Sequence, residues 1–217
     1  MNEPVLSFQV ENWLLELLRR YPDLARCRTS ILSSYNILKE TFLNNGKLLV
    51  CGNGGSASDA EHISGELMKG FLKKRPLTPE LEERFLKIAV GAENWVHLLQ
   101  RGLPVIPLTS NGALASAICN DQALDLVFAQ QVVGYGKPGD TLLAISTSGN
   151  SANVIRAVYT AKALDLKTIG LTGMDGGELK HLCDVVIRVP AAPVYAVQEL
   201  HLPVYHTLCL MLETEFF

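Results

Sequence analysis

The sequence predicts a three-layer αβα protein, in which a parallel β-sheet is covered by helices on both faces. Five short apolar segments have the length and composition of buried strands, and segments with the apolar spacing of helices lie between them. This alternation is typical of βαβ crossovers, which join parallel strands. The 217 residues are 48% hydrophobic and 19% charged, so residues 1–217 fit a single domain with a large core.

Two helices are predicted within residues 1–46, because apolar residues recur at helical spacing over Phe8–Arg20 and Leu24–Asn44. The turn sequence Asn44-Asn45-Gly46 ends the second helix. Lys47–Cys51 is the first strand, and the loop that follows it leads into a helix over about Ala57–Phe71. Residues 1–46 are therefore expected to form an N-terminal helical extension that precedes the sheet.

A helical insertion is predicted from about residue 72 to residue 103. Arg75-Pro76 and Thr78-Pro79 interrupt the chain, and Thr78 can cap a new helix that has Pro79 at its first position. This helix runs through Leu86, and helix-like sequence continues to about Leu99. A segment of about thirty residues has the size of a helical hairpin rather than of a loop.

Strands and helices alternate through the rest of the chain. The remaining strands are short apolar runs at Pro104–Leu108, Thr141–Ile145, Lys167–Thr172 and Val185–Val189. The remaining helices have helical apolar spacing over about Ala113–Cys119, Ala123–Gly134, Ala152–Leu164 and Val194–Glu213. Because ligands bind at the carboxyl ends of the strands in such a sheet, the loops after the strands are where a site is expected.

Composition excludes several classes of function. The formal net charge is −3, and no basic block is denser than Lys73-Lys74-Arg75, so neither nucleic acid nor a membrane surface is an expected partner. The five cysteines are odd in number and lack CxxC spacing, which indicates buried reduced thiols in a cytoplasmic protein. Met1–Pro4 does not begin a signal peptide, and no apolar run is long enough to cross a bilayer.

Two loops have the chemistry of a phosphate cradle. Cys51–Ser56 follows the first strand and Ser146–Ser151 follows the third, and each consists of small, uncharged residues at the start of a helix. The second loop has four hydroxyls in six residues, more than one Ser N-cap in an ordinary polar turn requires. The first matches neither GxGxxG nor the Walker A pattern, and it equally fits a tight turn that needs positive φ. Together the loops favour a phosphorylated small molecule as the ligand.

Two helices carry candidate chemistry beside these loops. His62 and Glu66 are four residues apart on one helical face, a spacing that suits a metal pair, an acid/base pair or a solvated polar face. Gln198, Glu199, His201 and His206 lie on the mostly apolar last helix, where polar side chains are either functional or scattered on a surface. Asp121 is most simply an N-cap for the helix that follows it.

These motifs resemble the sugar isomerase (SIS) domain family and are most similar to its phosphoheptose isomerase branch. The matching segments are Cys51–Ser56, His62–Leu67, Cys119–Asp121, Ile145–Ile155, Leu171–Gly177 and Gln198–His206. The resemblance covers nearly the whole chain outside about residues 72–103. It implies a flavodoxin-like five-stranded parallel sheet and a homotetramer with its sites at subunit interfaces.

The resemblance also implies a reaction and a set of site residues. Sedoheptulose 7-phosphate would be converted to D-glycero-D-manno-heptose 7-phosphate through an ene-diol, with Glu66 as general base and His206 as general acid. One Zn²⁺ per subunit would be held by His62, Glu66, Gln198 and His206, and would polarise the substrate carbonyl. The phosphate would be held by Ser56, Ser146, Thr147, Ser148 and Ser151. The predicted substrate-binding set further contains Asn53, Gly54, Gly55, Asp121 and Gln198.

Three departures from the family pattern leave the sugar open, and the insertion over about residues 72–103 is the first of them. Gly70 stands where the family usually carries a basic residue, with Lys69 adjacent, and Tyr195 stands where an acidic residue is expected. The alternative function is a non-catalytic SIS module, either a sugar-phosphate sensor or an adaptor of the DnaA initiator-associating type. A structural oligomerisation domain is a third hypothesis, which leaves the phosphate loops unexplained. The presence of the complete acid/base set argues for an enzyme.

Overall fold

A computed structural model describes residues 7–217, and five parallel strands form its sheet. Met1–Pro4, on which the signal-peptide expectation rests, lie outside the described residues. The strands are β1 (Leu48–Cys51), β2 (Val105–Pro107), β3 (Thr141–Ile145), β4 (Lys167–Thr172) and β5 (Val185–Arg188). They lie side by side in the order β2-β1-β3-β4-β5, which is the flavodoxin-like order. The predicted fold class is confirmed.

Helices cover both faces of this sheet. They are α1 (Phe8–Arg20), α2 (Arg28–Leu43), α3 (Gly55–Met68), α4 (Pro79–Ile88), α5 (Gly112–Asp121), α6 (Val127–Tyr135), α7 (Ala152–Ala163), α8 (Leu179–Leu182) and α9 (Val194–Phe216). In β1, Leu48 and Val50 pack with α1, α2, α3 and α9, whereas Leu49 and Cys51 pack with α5, α6 and α7. This alternation follows from the two-residue period of a strand, and it divides the core into two layers.

The structure corrects three predicted helices. The segment Pro22–Cys27, predicted in part as the start of a long helix, is a 3-10 helix, and α2 begins after it. The helix with Glu66 ends at Met68 rather than at Phe71, because the Lys69 backbone is extended. Beyond α4 the chain forms two 3-10 turns, Ala92–Asn94 and Val96–Leu98, rather than a continuing α-helix, since Gly91 takes positive φ there.

Two smaller predictions have different outcomes. Asp121 does not cap a following helix, because it is the last residue of α5 and its carboxylate accepts a hydrogen bond from the Asn120 amide. Thr78 does cap α4, with Pro79 at the first helical position.

The five cysteines are free, as predicted, although Cys119 and Cys183 are only partly buried. Over residues 7–217, no helix has the length and apolar character needed to cross a membrane.

The strand order brings the two glycine- and serine-rich loops together. β1 and β3 are neighbours, and from them the chain winds outward in opposite directions, to β2 on one side and to β4 and β5 on the other. The loops after β1 and β3 therefore lie at the point where the winding direction changes, which is where sheets of this class bind ligands. Helix α9 packs along α3 beside this edge, so the polar residues of α3 and α9 face one region.

Candidate active site

A cavity of about 340 Å³ lies at the carboxyl ends of β1 and β3. Eight residues of the predicted substrate-binding set line it: Asn53, Gly54, Gly55, Ser56, Ser146, Thr147, Ser151 and Gln198. No lysine or arginine is among the described residues that line it. An anion bound here would therefore be held by hydroxyls, amides and backbone N–H groups rather than by a cationic side chain.

Two helices begin at this cavity without a side-chain cap. Gly54, the N-cap of α3, has no side chain, and the side chain of Ser151, the N-cap of α7, accepts no hydrogen bond from the first turn of its helix. The first N–H groups of a helix lack intrahelical partners, and the helix dipole places partial positive charge there. In many proteins helix N-termini of this kind bind anions, so these two helix starts are candidate contacts for an anion.

Hydrogen bonds between side chains join the two loops. Asn53 and Asn153 exchange a reciprocal pair of amide hydrogen bonds, each 2.9 Å long. The Ser146 and Ser151 hydroxyl oxygens are 3.0 Å apart within the second loop. Asn153 connects the loops although sequence analysis did not single it out. These contacts set the separation between the start of α3 and the start of α7.

Two predicted substrate-binding residues lie apart from the lining of this cavity. Ser148 is exposed, and its hydroxyl accepts a hydrogen bond from the Asn150 N–H within the loop. Asp121 is exposed at the end of α5. Their predicted roles stay predictions.

The predicted acid/base residues meet about two to three helical turns further along α3 and α9. His62 Nε2 lies 3.1 Å from Glu66 Oε1, and 3.3 Å from His206 Nε2. The Phe71 ring packs at 5.3 Å from the His206 ring, and the Lys69 ammonium lies 3.6 Å from Glu66 Oε2. Spacing alone left His62 and Glu66 compatible with a solvated face, whereas the fold places them against His206 from another helix.

Asp59 and Tyr205 extend this cluster into the protein. The Tyr205 hydroxyl lies 3.0 Å from His62 Nδ1 and donates to Asp59 Oδ1 at 3.2 Å. The Tyr205 hydroxyl thus holds the His62 ring at Nδ1, with Nε2 directed at Glu66 and His206. Sequence analysis singled out neither Tyr205 nor Asp59, although Asp59 is three residues before His62 on α3.

Burial shifts the titration of these groups. Burial raises the pKa of Asp59, and its neighbours Tyr205 and His62 offset only part of this effect. Burial and the neighbouring His62 imidazole lower the pKa of His206, against the opposing effect of Glu66. Asp59 Oδ2 is buried with no hydrogen-bond partner among the described residues. The cluster therefore holds its charges in a partly desolvated setting.

The donors predicted for zinc do not all come together. Two imidazoles and a carboxylate are typical zinc ligands, and their pairwise distances around His62 are short. Gln198 instead lines the cavity at the ends of β1 and β3, where its Nε2 would lie 2.4 Å from a Cβ atom on Gly55. Within residues 7–217, no group of three or more His, Cys, Asp or Glu side chains is arranged to hold a metal ion. The side chains fit a hydrogen-bonded cluster, and we derive no chemical step through a metal.

The other polar residues of the last helix are separated by burial. Glu199 is exposed, whereas His201 is 0% exposed and neither of its ring nitrogens makes a hydrogen bond of acceptable geometry. Burial lowers the pKa of His201 to about 4, although the nearby Thr172 backbone slightly favours the charged form. His201 is therefore a neutral core residue at neutral pH.

Comparison with known proteins points to one family. A model of the SIS domain matches residues 82–173. The chain is 38% identical over 208 residues to the phosphoheptose isomerase of Nitratiruptor sp., a match that covers 95% of this chain and 98% of that protein. It is 41% identical to the phosphoheptose isomerase of Aliarcobacter butzleri, with 82% of each chain covered. The structure of a phosphoheptose isomerase from Neisseria gonorrhoeae superposes with a TM-score of 0.73 at 31% identity, covering 94% of this chain and 97% of that one.

Proposed function

Because the chain belongs to the phosphoheptose isomerase family of SIS-domain proteins, we propose that it converts sedoheptulose 7-phosphate to D-glycero-D-manno-heptose 7-phosphate. The family makes it an isomerase that interconverts aldose and ketose phosphates. The identity of the sugar and the roles of individual residues are our inference from the site.

The observation that carries the proposal is one phosphate cavity connected by two helices to one acid/base cluster. Ser56 and Glu66 are ten residues apart on α3, which is about 15 Å along the helix axis. Gln198 and His206 are eight residues apart on α9, which is about 12 Å. These lengths support a sugar phosphate whose reacting carbons lie far from its phosphate.

The cluster supplies the two proton transfers that the reaction needs. An ene-diol forms when a base removes the proton from the carbon next to the carbonyl while an acid serves the carbonyl oxygen. Glu66 is the proposed base, since a carboxylate accepts a carbon-bound proton without first losing one. His206 is the proposed acid, since its imidazole N–H donates to the sugar oxygen. A correctly positioned acid and a correctly positioned base each raise the rate of such a reaction by about 10²–10⁴-fold.

His62 is held between these two groups by the Tyr205–Asp59 pair. The contact with Tyr205 at Nδ1 fixes the ring orientation, so that Nε2 stays directed at Glu66 and His206. We assign His62 the role of orienting the Glu66 carboxylate. Substitution of His62 is expected to lower kcat more than it raises KM, because the residue lies away from the phosphate cavity.

Zinc and a homotetramer remain proposals that the mechanism above does not use. The ligand set that the resemblance assigns to zinc is His62, Glu66, Gln198 and His206, and zinc bound there would polarise the substrate carbonyl. Because the described side chains are not arranged to hold an ion, binding would require them to move. Metal analysis of the purified protein, with activity measured before and after chelation and readdition of Zn²⁺, tests the first proposal. Light scattering over a range of protein concentrations tests the second.

The proposed activity is tested by incubating the protein with sedoheptulose 7-phosphate and following aldose formation. We expect turnover by the wild type, and a loss of about 10²–10⁴-fold in kcat for Glu66→Gln and for His206→Ala. Pentulose and hexulose phosphates serve as length controls, and their kcat/KM is expected to be lower. A wild type that binds these phosphates without converting any of them would refute the proposal and favour the sensor function.

A further inference from the structure

A buried ion pair joins the segment after α3 to the end of α9. Arg75 is 0% exposed and Glu213 is 1% exposed, and their Nη2 and Oε1 atoms are 2.9 Å apart. Taking two charges out of water costs free energy that their mutual attraction only partly offsets, so apolar residues often replace such pairs without loss of stability. This pair therefore calls for an explanation beyond stability.

Glu213 gathers the backbone that follows the catalytic helix. Its carboxylate accepts hydrogen bonds from the N–H groups of Phe71, Leu72 and Lys73 at 2.8–3.2 Å, besides those from Arg75. Burial alone would raise the pKa of Glu213, but these hydrogen bonds outweigh it and hold the pKa below its usual value. The segment fixed in this way includes Phe71, whose ring packs against His206.

Arg75 caps the end of the helix that carries Glu66. Its guanidinium donates to the Glu66 carbonyl at 3.0 Å and to the Leu67 carbonyl at 2.7 Å. Carbonyls in the last turn of a helix lack intrahelical partners, and a cation there interacts favourably with the helix dipole. α3 ends at Met68, so the turn that Arg75 holds is the turn from which the Glu66 side chain projects.

Glu213 and His206 lie on the same side of α9, because seven residues make about two helical turns. The chain of contacts thus runs from the α9 segment with His206, through Glu213 and Arg75, to the backbone of Glu66. We propose that Arg75 and Glu213 are positioning residues that set the separation of Glu66 and His206. This inference rests on the proposed function, since it concerns the proposed base and acid.

The test compares Arg75→Met and Glu213→Gln with a matched control, Asp140→Asn. Asp140 is also buried and polar, and it holds the Lys47 ammonium and the N–H groups of Lys47 and Lys137. It lies at the amino ends of β1 and β3, opposite the site. All three variants are expected to lower Tm. In assays at a temperature below every Tm, only Arg75→Met and Glu213→Gln are expected to lower kcat, by about ten- to a hundredfold. Their KM is expected to stay within about twofold of wild type.

A second measurement needs no substrate. Amide hydrogen exchange in the last turn of α3 is expected to become faster in Arg75→Met but not in Asp140→Asn. Should Arg75→Met fail to fold, the double variant Arg75→Met/Glu213→Leu leaves no unpaired buried charge and is expected to fold with low kcat.

The outcomes separate the two proposals. A wild type inactive on every phosphosugar refutes the proposed function, and the exchange measurement still decides whether Arg75 positions the α3 turn. The positioning role is overturned if the wild type is active and Arg75→Met has the same kcat and the same amide exchange in the last turn of α3 as Asp140→Asn.

Discussion

His201 makes stability depend on pH in a way that one substitution removes. The side chain is fully buried, and its ring nitrogens have no hydrogen-bond partner among the described residues. Replacement with methionine exchanges a buried imidazole, whose ring nitrogens are unsatisfied, for an apolar side chain of similar volume. At about pH 7.5 we therefore expect His201→Met to leave the free energy of unfolding unchanged or to raise it by about 1–3 kcal/mol.

The sign of the pH effect follows from the lowered pKa. Burial lowers the pKa of His201 from 6.5 to about 4 in the folded state. Between these values the unfolded chain binds a proton that the folded protein does not, so stability falls as the pH falls. The contribution is fully present above pH 6.5 and is lost as the pH falls through about 4. The difference in pKa corresponds to about 3 kcal/mol.

Urea unfolding at about pH 7.5 and about pH 4.5, at one protein concentration, measures this contribution. The wild type is expected to lose about 2–3 kcal/mol more than His201→Met between the two conditions. Asp59 and His206 titrate in both proteins, so the difference between the proteins isolates His201. Leu208→Met, a buried substitution on the same helix that retains His201, is the control and should keep the wild-type pH dependence. Equal pH dependence in wild type and His201→Met would refute the reasoning.

Three further predictions concern the site. Tyr205→Phe leaves Asp59 without its hydrogen-bond donor, so we expect a free energy of unfolding about 1–3 kcal/mol lower in urea and a lower kcat. An unchanged kcat would show that Tyr205 does not contribute to catalysis. Asn153→Ala breaks the amide pair between Asn53 and Asn153 and is expected to raise KM about two- to tenfold at constant kcat in steady-state assays. An unchanged KM would show that this pair does not shape the substrate site. Gly55→Ala places a Cβ 2.4 Å from the flexible end of Gln198, so KM should rise with little change in Tm, and a wild-type KM would count against Gln198 as a substrate ligand.

The sheet was predictable because its signals are local. β3 and β4 begin and end where the apolar runs do, since each run is buried on both faces. The two loops were also recognisable from their own residues, and their meeting at one edge followed from the rule that parallel strands bring their carboxyl ends together. The end of α3 was not predictable, because it depends on Glu213, which lies 142 residues from Phe71 in sequence.

The interior of the site depended on tertiary packing. Asp59 is polar and helical in sequence, and only the approach of α9 places Tyr205 against it. Arg75 belongs to the densest basic block of the chain, which sequence patterns assign to solvent, yet it is completely buried because Glu213 and two helix carbonyls surround it. The resemblance grouped Gln198 with His206 around zinc, whereas the structure places Gln198 in the lining of the cavity at the ends of β1 and β3.

The most direct test of the proposed reaction is solvent deuterium incorporation. Sedoheptulose 7-phosphate is incubated with the protein in D₂O for many turnovers, and proton NMR follows the carbon next to the carbonyl. If Glu66 removes the proton from C1 of the ketose and the exchanged carboxyl returns a proton to C2, the aldose product carries deuterium at C2, and it is formed by the wild type and not by Glu66→Gln at the same protein concentration. Product that forms without deuterium, or that forms equally well with Glu66→Gln, would contradict an ene-diol mechanism with Glu66 as its base.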